Sequence, residues 1–310
     1  GATYRTGHWP TDAATRGMTT VLRAEVDTAA ACDNQLGEGP LWDDARGALW
    51  WVDIAQPGVW RCMDGQVQHW PLTALPACLG LHASGRLWLV GRREVGWFDP
   101  EAGTFEPVPQ QGVDFAAVRF NDGRADAAGR FWAGTMDRRM QSPVGGLHVN
   151  ANGVQWHERD QGVTLSNGLG WSPDQRTMYF TDTPSRCIFA YPFDMDDGVL
   201  GPRRVLVQGS EGAAAPDGLA VDADGGVWSA QFGLGCLHRY TPSGQLDRVV
   251  ELPVSRPTSM AFGGADRRTL YITTATLGLS EVERAAQPMA GQLLVCHTDV
   301  SGQAEHTVRF

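Results

Sequence analysis

The stretch RFNDGRADAAGRFWAGTM, Arg119 to Met136, decides how this chain folds. A charged, amide-bearing head, Arg119-Phe120-Asn121-Asp122-Gly123, leads into a polar turn at Asp126 to Gly129 and then into an aromatic strand, Phe131-Trp132-Ala133. The same plan recurs five more times. Aligning the aromatic strands gives ALWWVD around Trp50, RLWLVG around Trp88, RFWAGT around Trp132, TMYFTD around Tyr179, GVWSAQ around Trp228 and TLYITT around Tyr271, at spacings of 38, 44, 47, 49 and 43 residues. Each is preceded by a turn rich in Asp, Gly, Ser or Pro (DDARG, HASG, DAAG, SPDQ, DADG, GADRR), which between apolar runs signals a hairpin.

A second hairpin follows each aromatic strand. VWRC, VGWF, GGLHV, CIFAY, GCLHRY and GQLLVC lead into MDGQ, PEAG, NANG, MDDG, PSGQ and VSGQ. Each unit therefore holds four short strands. Six such units at a period of about 44 residues predict an all-β, six-bladed β-propeller, an architecture that leaves only short, protected sheet edges. An open solenoid would expose its terminal strands. The apolar segment Val21 to Val26, VLRAEV, stands ahead of the first unit, and we expect it to close the ring as the outer strand of the last blade, paired with the C-terminal HTVRF. Residues 1–17 are polar and aperiodic and read as a leader or disordered tail, with residues 18–310 as one propeller domain.

In a propeller the first strand of each blade lines the central channel, so equivalent positions converge on one axis. Counting back 11 or 12 residues from the aromatic anchors reaches Glu38, Asn121, Asn167 and Asp217 in four blades, and Pro76 or Ala77 and Ser259 or Met260 in the other two. Glu38-Gly39, Asn167-Gly168 and Asp217-Gly218 resemble turn dipeptides, but each blade already has its turn a few residues later. Two carboxylates and two amides facing one axis would repel or remain unsatisfied unless a cation joined them. All-oxygen donors suit Ca²⁺, Mg²⁺ or Mn²⁺; Zn²⁺ with open positions and Fe²⁺ stay among the alternatives. Arg119, two residues before Asn121 and on the same side of its strand, would offer a hydrogen-bond fork to an oxygen-rich substrate.

Composition narrows the classes. The net charge of -10 lacks the basic footprint of a nucleic-acid or anionic-membrane partner. All 25 basic residues are Arg, so lysine Schiff-base chemistry and a P-loop lysine are excluded. The six cysteines show no C-x-x-C pair and read as free thiols in a reducing compartment, and no apolar run is long enough to span a bilayer; the expected location is the cytoplasm. There is neither a G-x-S-x-G elbow nor a G-x-G-x-x-G loop after a strand.

These units resemble the senescence marker protein, regucalcin and gluconolactonase family. The likeness runs from about Val21 to the C-terminus and rests on GEGPLW (37–42), RFNDGRADAAGRFWAGTM, SNGLGWSPD (166–174), PDGLAVDADGGVW (216–228) and PTSMAFGGADRRTLYITTA (257–275), in that order. The resemblance implies one divalent metal ion bound by Glu38, Asn167 and Asp217, substrate contacts from Arg119 and Asn121, and hydrolysis of sugar-acid lactones to open aldonates; Asp217 is the expected catalytic residue, as general base, with a metal-bound hydroxide as the alternative base. A metal-dependent esterase or phosphotriesterase on the same scaffold and a non-catalytic calcium-binding regulator are the alternatives, and monomer and dimer both remain open. The sequence departs from animal members after Gly-Thr-Met, where their acidic residues give way to Asp137-Arg138-Arg139-Met140.

Overall fold

The computed structural model describes residues 19–22, 24–209 and 215–310; the predicted leader, 1–17, lies outside the described residues. Six sheets form, and their first strands are Gly37–Asp43, Pro76–His82, Val118–Ala125, Ser166–Trp171, Ala215–Val221 and Pro257–Gly263. Each first strand neighbours the next, and the sixth returns to the first, so the sheets stand as blades around one channel. All six aromatic anchors fall on second strands, next outward: Ala48–Asp53, Leu87–Gly91, Phe131–Asp137, Thr177–Asp182, Val227–Phe232 and Thr269–Thr274. The third strands are the segments that sequence pattern places in second hairpins. One six-residue helix, Glu281–Ala286, interrupts the sixth blade, held by a capping box between Ser280 and Glu283.

The apolar residues gather in six clusters, each shared by two adjacent blades. Leu41, Trp50 and Val52 of the first blade meet Leu79, Leu89 and Phe98 of the second, and Trp132 of the third meets Leu169 and Phe180 of the fourth. The core is thus six wedges between blades, and burial of each wedge, the main favourable term in folding, fixes how far apart the channel-lining strands sit.

Ring closure differs from expectation in its partners. The outer strand of the sixth blade does come from the N-terminus, but it is Asp27–Ala30, antiparallel to Leu293–His297. The start of VLRAEV pairs elsewhere: Thr20–Leu22 runs parallel to Leu246–Glu251 and widens the fifth blade to five strands. HTVRF meets neither. Its Thr307–Val308 adds parallel to the inner edge of the second blade, opposite Leu81 and His82. The reason lies in the tail before it. From VSGQ onward the chain turns under the ring, bridging Asp222 through Gly302, donating from Gln303 Nε2 to the carbonyls of Trp171 and Val221, and setting Glu305 3.4 Å from Arg124. These contacts sit at the C-terminal ends of the inner strands, so the tail covers that end of the channel.

Two of the predicted turns are buried anchors. Asp126 and Asp222 are both fully buried; one oxygen of each accepts turn N–H groups (from Ala128 and Arg130, and from Asp224 and Gly226). The other oxygen of each takes a tryptophan Nε1–H at 2.8 Å, from Trp132 or Trp228, and an arginine Nε–H, from Arg130 at 2.6 Å or Arg239 at 2.7 Å. One carboxylate therefore ties hairpin, aromatic anchor and cation together. Removing it leaves the partly buried Arg130 guanidinium without its acid and strands a buried indole N–H, so Asp126→Ala should lower stability by about 3 kcal/mol. The exposed pair Asp44–Arg267, with both side chains 38% accessible, is the contrast: Asp44→Ala should change stability by about 1 kcal/mol or less. Urea unfolding followed by tryptophan fluorescence measures both.

Candidate metal and substrate site at the channel mouth

The site is built where the inner strands leave regular pairing. All six shift register near their N-terminal ends, between Glu38 and Leu41, Pro76 and Cys78, Phe120 and Gly123, Ser166 and Leu169, Pro216 and Leu219, and Pro257 and Ser259. A bulge re-aims the side chains around it. Four of these bulges carry the oxygen-bearing heads, at the end of the channel opposite the C-terminal tail.

The glycines beside those heads are not turn residues. Asn167-Gly168 and Asp217-Gly218 lie within inner strands, and a Cβ on Gly168 would stand 2.1 Å from the backbone N of Leu219, while one on Gly218 would stand 2.1 Å from Ser259 Oγ. Glycine is required because neighbouring strands approach this closely. The approach brings side chains of different blades together.

The five predicted residues fall into two interacting groups, Arg119–Asn121–Asn167 and Glu38–Asp217. Arg119 Nη1 donates to Asn121 Oδ1 (3.2 Å) and to its own strand's Phe120 carbonyl (3.1 Å). Asn121 Nδ2 donates to Asn167 Oδ1 (3.1 Å) and to the Ser166 carbonyl (2.7 Å). Asn167 Nδ2 donates to Thr183 Oγ1 at 2.7 Å, and that hydroxyl donates at 2.7 Å to the carbonyl of Pro216, the residue before Asp217. Across the channel the Glu38 and Asp217 carboxyls interact side chain to side chain, although both are acids and only 7% exposed. Burial holds each carboxyl well above the ordinary range; for Glu38 the Asp217 and Asp122 charges add to it, and for Asp217 the Asp122 charge does.

Asp122 is the residue that sequence alternation misses. It follows Asn121, so regular pairing would turn it to the opposite face, but the bulge between Phe120 and Gly123 suspends that alternation. Its carboxyl is raised by burial and relieved by Arg124 and the Gly123 N–H. Thr183 is the other omission: it follows a second strand and carries no periodic signal, and only the fold sets it between Asn167 and Pro216.

The donor chemistry fits an oxygen-coordinated cation. Asp217 Oδ1 is buried and has no hydrogen-bond partner, and the two acids that face each other lack a cationic side chain between them. The set is two carboxylates and an amide; among the described residues no three His, Cys, Asp or Glu side chains form a metal-ligating cluster. Thr183→Val keeps the volume and removes the hydroxyl that joins Asn167 to the Pro216 carbonyl. It should cost about 1–3 kcal/mol in chemical denaturation, because a donor and an acceptor lose their partner together.

The sequence profile described as SMP-30/Gluconolactonase/LRE-like region matches residues 36–276. The chain is similar to a 6-deoxy-6-sulfogluconolactonase of Pseudomonas putida, 37% identical over 275 residues that cover 87% of this chain and 94% of that one. It is 36% identical to an L-arabinolactonase of Azospirillum brasilense over 284 residues, 89% of this chain and 92% of the relative. Among solved structures, a calcium-binding regucalcin from Agrobacterium tumefaciens superposes with a TM-score of 0.90 at 26% identity, over 94% of this chain and 100% of that chain.

Proposed function

This chain belongs to the SMP-30/Gluconolactonase/LRE-like family, and from that premise we propose that it hydrolyses a sugar-acid lactone to the open aldonate, with one divalent cation held by Glu38, Asn167 and Asp217. The observation that carries the reading is the buried Glu38–Asp217 pair, two interacting acids with one carboxylate oxygen left unpartnered. Isolated buried carboxylates cost several kcal/mol each, and a cation offsets that cost. The two lactonase relatives support the reaction class.

When bound, the cation would polarise the lactone carbonyl and stabilise charge developing on its oxygen. Asp217 has two oxygens, so while one serves as ligand the other accepts the proton of the attacking water. The water oxygen bonds to the carbonyl carbon, the ring C–O bond breaks, and the proton passes to the departing ring oxygen. Asn121 and Arg119 hold sugar hydroxyls or the ring oxygen. Asn121 is fixed by its bonds to Ser166 and Asn167, so it positions substrate without further ordering cost.

In a pH-drop assay against five- and six-carbon aldonolactones, with spontaneous hydrolysis subtracted, turnover should vanish with chelator and return with added divalent metal. Asp217→Ala should lose about 10²–10⁴-fold in kcat, together with bound metal measured by plasma emission. Arg119→Ala should act mainly on KM. An Asp217 variant with full turnover would remove the mechanism. Protein that binds metal but turns over no lactone would favour an esterase or a calcium-binding regulator.

A further inference from the structure

Beside the acidic centre the channel mouth changes sign. A cavity of about 590 Å³, the size of a small-molecule pocket, is lined by Arg92, Arg93, Arg119 and Arg138, with Glu94 the only acid on its wall. The backbone makes this convergence: the Phe120 N–H donates to the Arg92 carbonyl, so the loop after the second blade's Leu87–Gly91 strand lies against the strand that carries Arg119. Arg138 comes from the Asp137–Met140 loop, where the sequence departs from animal members. Asp137 folds that loop by accepting N–H groups from Arg139, Gln141 and Ser142 at 2.8–3.1 Å. Its charge is spent on the backbone.

The arginines themselves have no acid to answer them. Among the described residues none of the four is in an ion pair with a carboxylate. Arg119 donates only to a carbonyl and an amide oxygen, Arg138 Nη1 donates to the Ala116 carbonyl at 3.3 Å, and Arg92 Nε is buried without any partner. Burial and the nearby Arg92 charge bring the Arg119 guanidinium down to about 10, and burial lowers Arg92 as well. In a chain of net charge -10, this is a local concentration of unpaired cations. An unpaired buried N–H and like charges held together are both relieved by an anion, and guanidinium forks match the oxygens of a carboxylate, sulfonate or phosphate.

We propose that Arg92, Arg119 and Arg138 form an anion subsite that selects lactones bearing a second, negatively charged group away from the reacting carbonyl. This specificity rests on the lactonase reading above; the anion subsite itself does not. A neutral sugar lactone would leave Arg92 unpaired, whereas a terminal carboxylate, sulfonate or phosphate pairs it.

The test runs two measurements on metal-loaded protein. The first compares kcat/KM for glucono-1,5-lactone with that for its 6-phospho and 6-sulfo counterparts and for a glucarolactone, which carries a terminal carboxylate. At least one anionic lactone should be favoured roughly tenfold or more, as expected for charge-assisted hydrogen bonds, and its advantage should shrink as salt rises. The three probes separate phosphate, sulfonate and carboxylate. The second measures calorimetric binding of gluconate against 6-phosphogluconate, 6-sulfogluconate and glucarate, with no turnover required. Arg92→Gln should reduce the anionic-to-neutral ratio at least tenfold in both, and Arg138→Gln, on the exposed loop, should reduce it in the same direction if Arg92→Gln fails to fold. Equal treatment of neutral and anionic compounds in both measurements overturns the subsite. Absence of all turnover, with the anionic acids still bound more tightly, overturns the lactonase reading and leaves the subsite standing.

Discussion

The constraint on which this structure depends is the close approach of six inner strands around one axis. A Cβ on Gly168 or Gly218 would fall 2.1 Å from the neighbouring blade, so those strands sit as near as backbone allows. At that separation, side chains that are distant in sequence touch: Asn121 bonds Asn167 across 46 residues, and the Glu38 and Asp217 carboxyls interact across a far longer interval. The spacing is set from outside. Six apolar wedges between blades fix the wedge angle, and the buried Asp126 and Asp222 anchors fix Trp132 and Trp228 in theirs. Loosening a wedge would be felt at the axis, because close-packed interiors transmit displacement.

The two ends of the channel are treated differently. At the C-terminal ends of the inner strands the tail from Gly302 to Val308 crosses beneath four blades and adds a short parallel strand to the second. At the other end the bulges break strand alternation and turn oxygens inward. The ring itself is closed by Asp27–Ala30, so the outermost strand of the last blade is held by pairing with a segment from the opposite end of the chain. That arrangement ties the last blade to the first, because the chain runs on from Asp27–Ala30 into the first blade's inner strand, Gly37–Asp43.

Electrostatics divides the open end into two zones. The deeper one is acidic: the charge of Asp122 raises the carboxyls of the buried Glu38 and Asp217, and that of Asp217 raises Glu38 further, so charge held there is costly without a cation. The outer one is basic: Arg92, Arg93, Arg119 and Arg138 surround a cavity with no ion-pair partner among the described residues. Arg119 and Asn121 stand at the boundary. In the proposed reaction a cation fills the first zone and an anionic substituent of the substrate faces the second, so each buried charge finds its opposite only when the site is filled.

Sequence by itself determined what repeats and what is local. The recurring aromatic strand and turn gave the number of blades and their four-strand plan, since each hairpin is specified by residues a few positions apart. Counting back from Trp50, Trp132, Tyr179 and Trp228 reached Glu38, Asn121, Asn167 and Asp217 because inner strands share one register to the axis. Tertiary structure decided whatever depends on contacts between blades or on broken periodicity. Asp122 enters the channel through a bulge that alternation does not contain, and Thr183 joins Asn167 to Pro216 from a position with no pattern. VLRAEV and HTVRF have strand character but no register signal, so their partners were settled by the path of the tail beneath the ring. Arg92 lies 27 residues from Arg119 in the chain, and only the backbone bond from Phe120 to Arg92 brings the two guanidinium groups to one cavity. Local chemistry repeats at a fixed period and can be counted; long-range pairing has no period, and folding has to supply it.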